Sequence, residues 1–148
     1  MMTTYLDVEG LIVDRLAERV TELPAAHILT LADAASIEEI QQPVPGLSVI
    51  FNGQYPRKAP NGALTQVIDQ QWQIVVVIRH VASLTDGRAA RAMVSPILAA
   101  VDAAMLGWEP TQEHDPFQLV GAPESTYRNG FLNYPLVYQT SYTARGVR

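Results

Sequence analysis

The residues of this chain that could do chemistry are few and poorly grouped. Histidines stand at positions 27, 80 and 114, on separate predicted elements, and none has a partner at the spacing of a His-Glu-x-x-His metal motif. Three possible ligands follow one another at Glu113-His114-Asp115, but adjacent side chains rarely converge on one ion. We interpret this segment as a solvated loop, with a metal site as the weaker alternative.

The sequence also lacks the signatures of nucleophilic and phosphate chemistry. Neither Ser83 nor Ser95 lies in a Gly-x-Ser-x-Gly elbow, and the chain has no cysteine to act as a thiolate. The glycines are isolated turn positions, unlike the clustered glycines of phosphate-binding loops. We therefore expect no enzymatic activity and no cofactor.

The composition is that of a sparsely charged globular protein. The 148 residues suit a single domain over residues 1–148, with 48% hydrophobic and only 17% charged residues. The net charge of −5, with Lys58 as the single lysine, argues against nucleic-acid binding, because phosphate contacts need clustered Lys and Arg. The longest strongly apolar run, residues 74–78, is far shorter than the ~20 residues of a membrane span. We expect a soluble cytosolic protein without a leader segment.

The N-terminal third combines a clear helix with weaker elements. Apolar residues recur at helical spacing over residues 5–22, which predicts an amphipathic helix that docks on a sheet. A short strand is predicted over residues 27–31. The capping-box spacing at residues 36–39 predicts the start of a short helix.

A strand and a long loop follow. The β-branched and aromatic run at residues 47–51 predicts a strand that ends in a turn at Asn52-Gly53. Residues 53–62 contain two prolines and two glycines, which indicates an extended hairpin loop outside the core. Within it, Tyr55 and the adjacent Arg57 and Lys58 are either solvated loop residues or contacts to a partner protein.

The middle of the chain predicts a strand covered by a helix. Alternation over residues 66–79 gives one buried face and a second, half-apolar face that ends at Arg79. A helix with an irregularity at Pro96 continues to Gly107, and Trp108 is interpreted as an apolar plug over its end. The core between this strand and this helix is predicted to contain Trp72, Ile74, Val94, Leu98 and Val101.

The C-terminal part predicts two more strands, at residues 117–120 and 131–142, with a turn at residues 128–130 before the second. Because Pro135 cannot donate to a ladder, we expect the last strand to lie at an edge or to contain a bulge there. Its tyrosines, including Tyr138 and Tyr142, are interpreted as core residues, with a pairing surface as the alternative.

Together these elements predict an α+β fold. We expect a mostly antiparallel or mixed sheet of about four strands, with two main helices packed on one face.

The order of these elements resembles one family of viral assembly proteins. The features that match are the segment Gly-Leu-Ile-Val-Asp-Arg-Leu at residues 10–16, the strand at 45–51, the strand at 72–77, the Leu-Gly-Trp-Glu-Pro helix end at 106–110 and the strand at 138–142. In this order, they resemble the phage tail terminator proteins, a group that includes the minor tail protein U-like proteins of lambda-like phages and related proteins of Mu-like prophages.

The resemblance implies a structural protein without enzymatic activity. Such a protein assembles as a ring, typically a hexamer, on the last ring of the tail tube, stops polymerisation and provides the head-joining surface. The implied partners are further copies of the chain, the tail tube protein and a head–tail connector protein, with no nucleic-acid specificity and no membrane. The implied location is the bacterial host cytoplasm during assembly and then the tail or neck of the virion.

Six residues are candidates for assembly contacts, and they come from the long loop, the second strand face and the tyrosine-rich strand. They are Tyr55, Arg57, Lys58, Arg79, Tyr138 and Tyr142. The alternatives are another neck component, such as a tail-completion or head–tail joining protein, and a small ligand-binding domain or enzyme.

Overall fold

The computed structural model describes residues 5–30, 43–60, 62–79, 87–128 and 130–147. Its helices are α1 (Val8–Arg19), which follows a 3₁₀ turn at Tyr5–Asp7, and α2 (Gly87–Met105). Its strands are β1 (Ile28–Thr30), β2 (Gly46–Pro56), β3 (Thr65–Arg79), β4 (Gln118–Gly121), β5 (Thr126–Arg128) and β6 (Phe131–Arg145). The two main helices and the long strands are therefore confirmed, whereas the helix predicted at residues 36–39 lies outside the described residues.

The strands form one mixed sheet in the order β1-β2-β3-β6-β4, with β5 also paired to β6. β1 and β2 are parallel, and the other pairs are antiparallel. The fold is α+β, as predicted, but the sheet has six strands where about four were expected. The strand β5 was not among the strands predicted from the sequence.

The last strand, β6, was predicted to lie at an edge of the sheet or to contain a bulge at Pro135, and neither alternative is correct. β6 lies between β3 and the two short strands, and its ladder with β3 runs in unbroken register from Phe131 to Arg145. On its other side, β5 pairs only as far as Asn133 and β4 pairs only from Val137 onwards. Pro135 falls in this gap, where no outer strand needs its missing N–H.

The core lies between one face of the sheet and the two helices. Alternate residues of β3 are buried, and Trp72 and Ile74 are completely inaccessible to solvent. The Trp72 ring meets the ring of Phe51 edge-on, with 5.2 Å between the ring centroids. Val94 and Val101 of α2 belong to the same buried cluster, and Leu98 packs against it while partly exposed. The core predicted from the sequence is therefore confirmed.

A small cluster of aromatic residues covers the C-terminal end of helix α2. Gly107 follows the helix with φ of +77°, a left-handed conformation that favours glycine. Trp108 then stacks on Phe117, with 5.8 Å between the ring centroids, and the Arg15 guanidinium lies 5.4 Å from the Trp108 centroid. Arg15 Nε also donates to the carbonyl oxygen of Ala104 at 3.0 Å. Trp108 thus covers the helix end, as predicted, and ties α1 to α2.

Candidate assembly surfaces

The long loop predicted at residues 53–62 is shorter in the structure, because the hairpin strands extend into it. The predicted turn at Asn52-Gly53 is instead a bulge within β2, which continues to Pro56. Gly53 has φ of +111°, and a Cβ at this position would lie 3.0 Å from the Tyr55 hydroxyl oxygen. Glycine therefore permits both the bulge and the close approach of Tyr55. We call residues 57–64, which join β2 to β3, the arm tip.

Arg57 anchors the base of the arm tip. Its Nη2 donates to Asp69 Oδ1 at 2.8 Å, and its Nε donates to both carboxylate oxygens at 3.1 Å. Ser141 Oγ of β6 donates to the same Oδ1 at 2.6 Å. The hydrogen bond between Arg57 and Asp69 is the main cause that lowers the pKa of Asp69 and raises the pKa of Arg57. Arg57 thus holds three strands together, a role that sequence reasoning missed because Asp69 lies twelve residues away.

Exposed residues and positive charge characterise the described part of the arm tip. Lys58 is exposed, as are half of the Tyr55 side chain and 37% of Leu64. Residues 57–64 contain no acidic residue. Tyr55 and Lys58 are therefore accessible to a partner, as their candidacy requires.

The structure does not bring Arg79 to the arm tip. Arg79 lies at the other end of the fifteen-residue strand β3, where its guanidinium is 5.3 Å from the ring centroid of Phe131. It is exposed, so it remains a separate contact candidate.

Tyr138 and Tyr142 lie inside the subunit. Of the two interpretations of the tyrosines, this confirms that they are core residues. Their exposures are 0% and 2%. The Tyr138 hydroxyl donates to Asp102 Oδ1 of α2, and burial together with this hydrogen bond raises the pKa of Tyr138. The Tyr142 hydroxyl donates to Gln54 Oε1 at 3.0 Å. Neither side chain is accessible on the surface of the single subunit, because the order of strands places β6 in the middle of the sheet.

Buried amides connect the core to the arm. Trp72 Nε1 donates to Gln70 Oε1 at 2.9 Å, and Gln70 Nε2 donates to Gln54 Oε1 at 3.0 Å. On the opposite face of the sheet, Asn52 Nδ2 donates to Gln71 Oε1 and Gln71 Nε2 donates to Gln139 Oε1, at 3.1 and 3.0 Å. Both faces of the hairpin are therefore fixed by side-chain amides, which gives the arm tip a rigid base.

His114 is buried, so its interpretation as part of a solvated loop is wrong. Its side chain is 3% exposed, and its ring centroid lies 5.5 Å from that of Tyr142. Nδ1 lies 2.6 Å from Thr111 Oγ1, whereas Nε2 is buried without a hydrogen-bond partner. The loop is tied to β6 through Asp115, whose N–H donates to Ser141 O at 2.9 Å. In the part of the chain that the structure describes, no group of three His, Asp or Glu residues could hold a metal ion.

The free energy of unfolding should fall on mild acidification because of His114. Burial lowers the pKa of His114, so between this pKa and the ordinary value near 6.5 the unfolded chain binds more protons than the folded one. We expect the fall to begin as the pH drops below about 6.5 and to be shallower in His114→Gln. Urea unfolding at a series of pH values measures it.

The control for this experiment is His27→Gln, which removes a partly exposed histidine from the other end of the chain. It should retain most of the pH dependence of the parent. An unchanged pH dependence in His114→Gln would contradict the assignment.

A second accessible surface follows strand β4. Leu119 and Val120 are 40% and 43% exposed, and β4 has no charged residue to protect it from pairing. Within the described residues, β4 pairs with β6 alone, so its outer side has no neighbouring strand. We call β4 and the exposed loop at residues 122–125 the β4 edge. Sequence reasoning did not select this surface, although the apolar character of an edge strand could have indicated it.

The segment that leads into the β4 edge is acidic. Residues 109–124 contain four acids and no lysine or arginine, and all four are exposed: Glu109, Glu113, Asp115 and Glu124. This charge is opposite to that of the arm tip.

No helix in the described residues is long and apolar enough to cross a membrane.

Comparison with known proteins gives a fold match and a family match. A chain from a solved structure described as the virion of a native gene transfer agent particle has a similar fold, with a TM-score of 0.60. The match covers 92% of this chain and 94% of that chain at 12% identity, which shows the fold alone. No curated protein matches. A family model described as phage tail terminator protein matches residues 1–148, and the chain therefore belongs to the phage tail terminator family.

Proposed function

We propose that this protein closes into a ring on the end of a tail tube, stops tube polymerisation there and provides the surface to which the head is joined. The observation that carries the proposal is the family match over residues 1–148. A structural role in the tail or neck of a phage-like particle follows from the family, and it agrees with the similar fold found in the gene transfer agent virion. We expect six subunits in the ring and contacts to the tail tube protein and a head–tail connector protein.

The surfaces of the subunit support self-assembly. A ring is built from heterologous contacts, in which two different patches of each subunit are complementary. The arm tip and the β4 edge are two such patches. Tyr55, Arg57, Lys58 and Arg79 are the predicted contact residues that are exposed. Of these, Arg57 is already paired with Asp69.

We also propose that the protein acts without catalysis. Two of its perturbed titratable groups have structural partners, because Asp69 binds Arg57 and the Tyr138 hydroxyl binds Asp102. Their pKa shifts follow from these hydrogen bonds and from burial. The assembly takes place in the bacterial cytoplasm, and the ring then remains in the virion.

Purified full-length protein should form a closed ring and limit tube growth. Light scattering coupled to size exclusion should give a mass about six times the 16.2 kDa of one chain. Added to polymerising tube protein from the same phage or prophage, the ring should shorten the tubes and appear at one end of each by electron microscopy. A ring that binds isolated connectors but leaves tube length unchanged would indicate another neck component. A monomer at assay concentrations would contradict the ring.

A further inference from the structure

We infer that the arm tip of one subunit binds the β4 edge of the next subunit, and that Lys58 lies against Glu124 across this contact. The inference rests on the proposed ring and adds the surfaces that close it. Among the features of the molecule, these two patches combine exposure, opposite charge and complementary apolar groups.

Charge complementarity selects a second copy as the occupant of the β4 edge. The arm tip has two basic residues and no acid, and one of them, Arg57, is already paired with Asp69. Lys58 therefore supplies the positive charge that remains for a partner. The 109–124 segment has four exposed acids and no basic residue. Opposed potentials of this kind favour the correct register and disfavour pairing of like patches.

The apolar groups of the two patches support the same contact. Tyr55 and Leu64 expose 50% and 37% of their surface at the arm, and Leu119 and Val120 expose 40% and 43% at the β4 edge. Tyr55 and Leu64 lie close in sequence to Lys58, and Leu119 and Val120 lie close in sequence to Glu124. The N–H of Gly146 donates to Leu64 O at 2.7 Å, which fixes the backbone at the end of the arm tip. An arm held in this way loses little conformational entropy when it binds.

The two patches belong to different parts of the sheet. The arm tip joins β2 to β3, whereas β4 pairs with β6, beyond β3 in the strand order. The patches are thus distinct, so each subunit can bind one neighbour with its arm tip and another with its β4 edge. The unpaired outer side of β4 also offers backbone groups to an extended segment.

Charge reversal with mixing tests the contact. We expect Lys58→Glu and Glu124→Lys, each alone, to weaken ring formation about tenfold or more, because each places like charges together. An equimolar mixture of the two variants should restore rings, because alternating subunits place opposite charges at every contact of an even-numbered ring. The double variant Lys58→Glu with Glu124→Lys should also form rings. Light scattering on the full-length proteins measures all four samples.

Two measurements separate this contact from general effects of charge. Arg91→Glu, a reversal at an exposed position on α2, should leave ring formation unchanged. The chain has no cysteine, so the Lys58→Cys with Glu124→Cys variant can be treated with a short bismaleimide cross-linker without side reactions. It should give a ladder of covalent species up to the ring, whereas each single-cysteine variant should remain monomeric after treatment, because only one thiol is present at each contact.

The outcomes distinguish this inference from the proposed function. If the parent protein forms no ring, the proposed function fails and the inference fails with it. If the parent forms rings and both charge reversals leave them intact, or if mixing restores nothing, the pairing of Lys58 with Glu124 is overturned while the ring stands.

Discussion

Trp72→Ala should lower the free energy of unfolding by about 3–5 kcal/mol, the range for truncating a large aromatic side chain in a core. Trp72 is completely buried, its ring meets Phe51, and its Nε1 donates to Gln70. Removal leaves a cavity between the sheet and the helices and a buried amide without its donor. Urea unfolding followed by circular dichroism measures the loss.

Two variants separate the sources of this loss. Trp72→Phe retains an aromatic ring but removes the Nε1 donor, and it should cost about 1–3 kcal/mol because a buried hydrogen bond to Gln70 is lost and the smaller ring leaves a gap. Gln73→Ala changes a partly exposed residue on the other face of the same strand and should cost well under about 1 kcal/mol. A loss below about 1 kcal/mol for Trp72→Ala would mean that the helices do not cover this face.

Periodicity was sufficient to predict the elements that have one buried face. Along β3, apolar side chains occupy every second position from Trp72 to Ile78, and burial alternates from Ile68 to Val76. α2 likewise repeats at helical spacing and ends at Met105, shortly before Gly107. These patterns involve residues close together in the chain, so they can be recognised in a single sequence.

The order of the strands was not predictable in this way, because pairing depends on distant segments. Proline in a strand usually indicates an edge or a bulge, and this rule uses the local sequence alone. In the structure, the missing N–H of Pro135 is tolerated because Pro135 lies between the part of β6 that pairs with β5 and the part that pairs with β4. This gap exists only in the assembled sheet. The same nonlocal effect explains Tyr138 and Tyr142, whose burial follows from the central position of β6.

Polar residues were misjudged where a distant partner changes their role. Arg57 appeared to be a loop charge, but the register of β2 with β3 brings it to Asp69. His114 lies between two acids in sequence, which suggested solvent, but its ring packs on Tyr142. In both cases the partner lies on a strand remote in sequence, so the local composition gave no signal.

Replacing residues 58–63 by a short Gly-Ser link should abolish closed rings while leaving the subunit folded. The replaced residues are outside the described core, and Arg57 with its Asp69 anchor and Leu64 with its bond to Gly146 are retained. We therefore expect a melting temperature within a few degrees of the parent. Light scattering should show the loss of the ring, and tube-length measurements should show the loss of capping. Normal rings from this variant would show that the arm tip is only a connection.

A mixture of this armless variant with the parent tests the direction of the contact. The armless subunit keeps its β4 edge, so it can accept the arm of a parent subunit but can offer none to the next. In a chain of heterologous contacts such a subunit forms one end and prevents closure. Small amounts of the armless variant should therefore convert rings into open arcs and reduce capping more than simple dilution of the parent does. Arg91→Glu subunits, added in the same amounts, are the matched control. If armless subunits are excluded from the oligomers and leave the remaining rings intact, the arm and the edge are not the two halves of one contact.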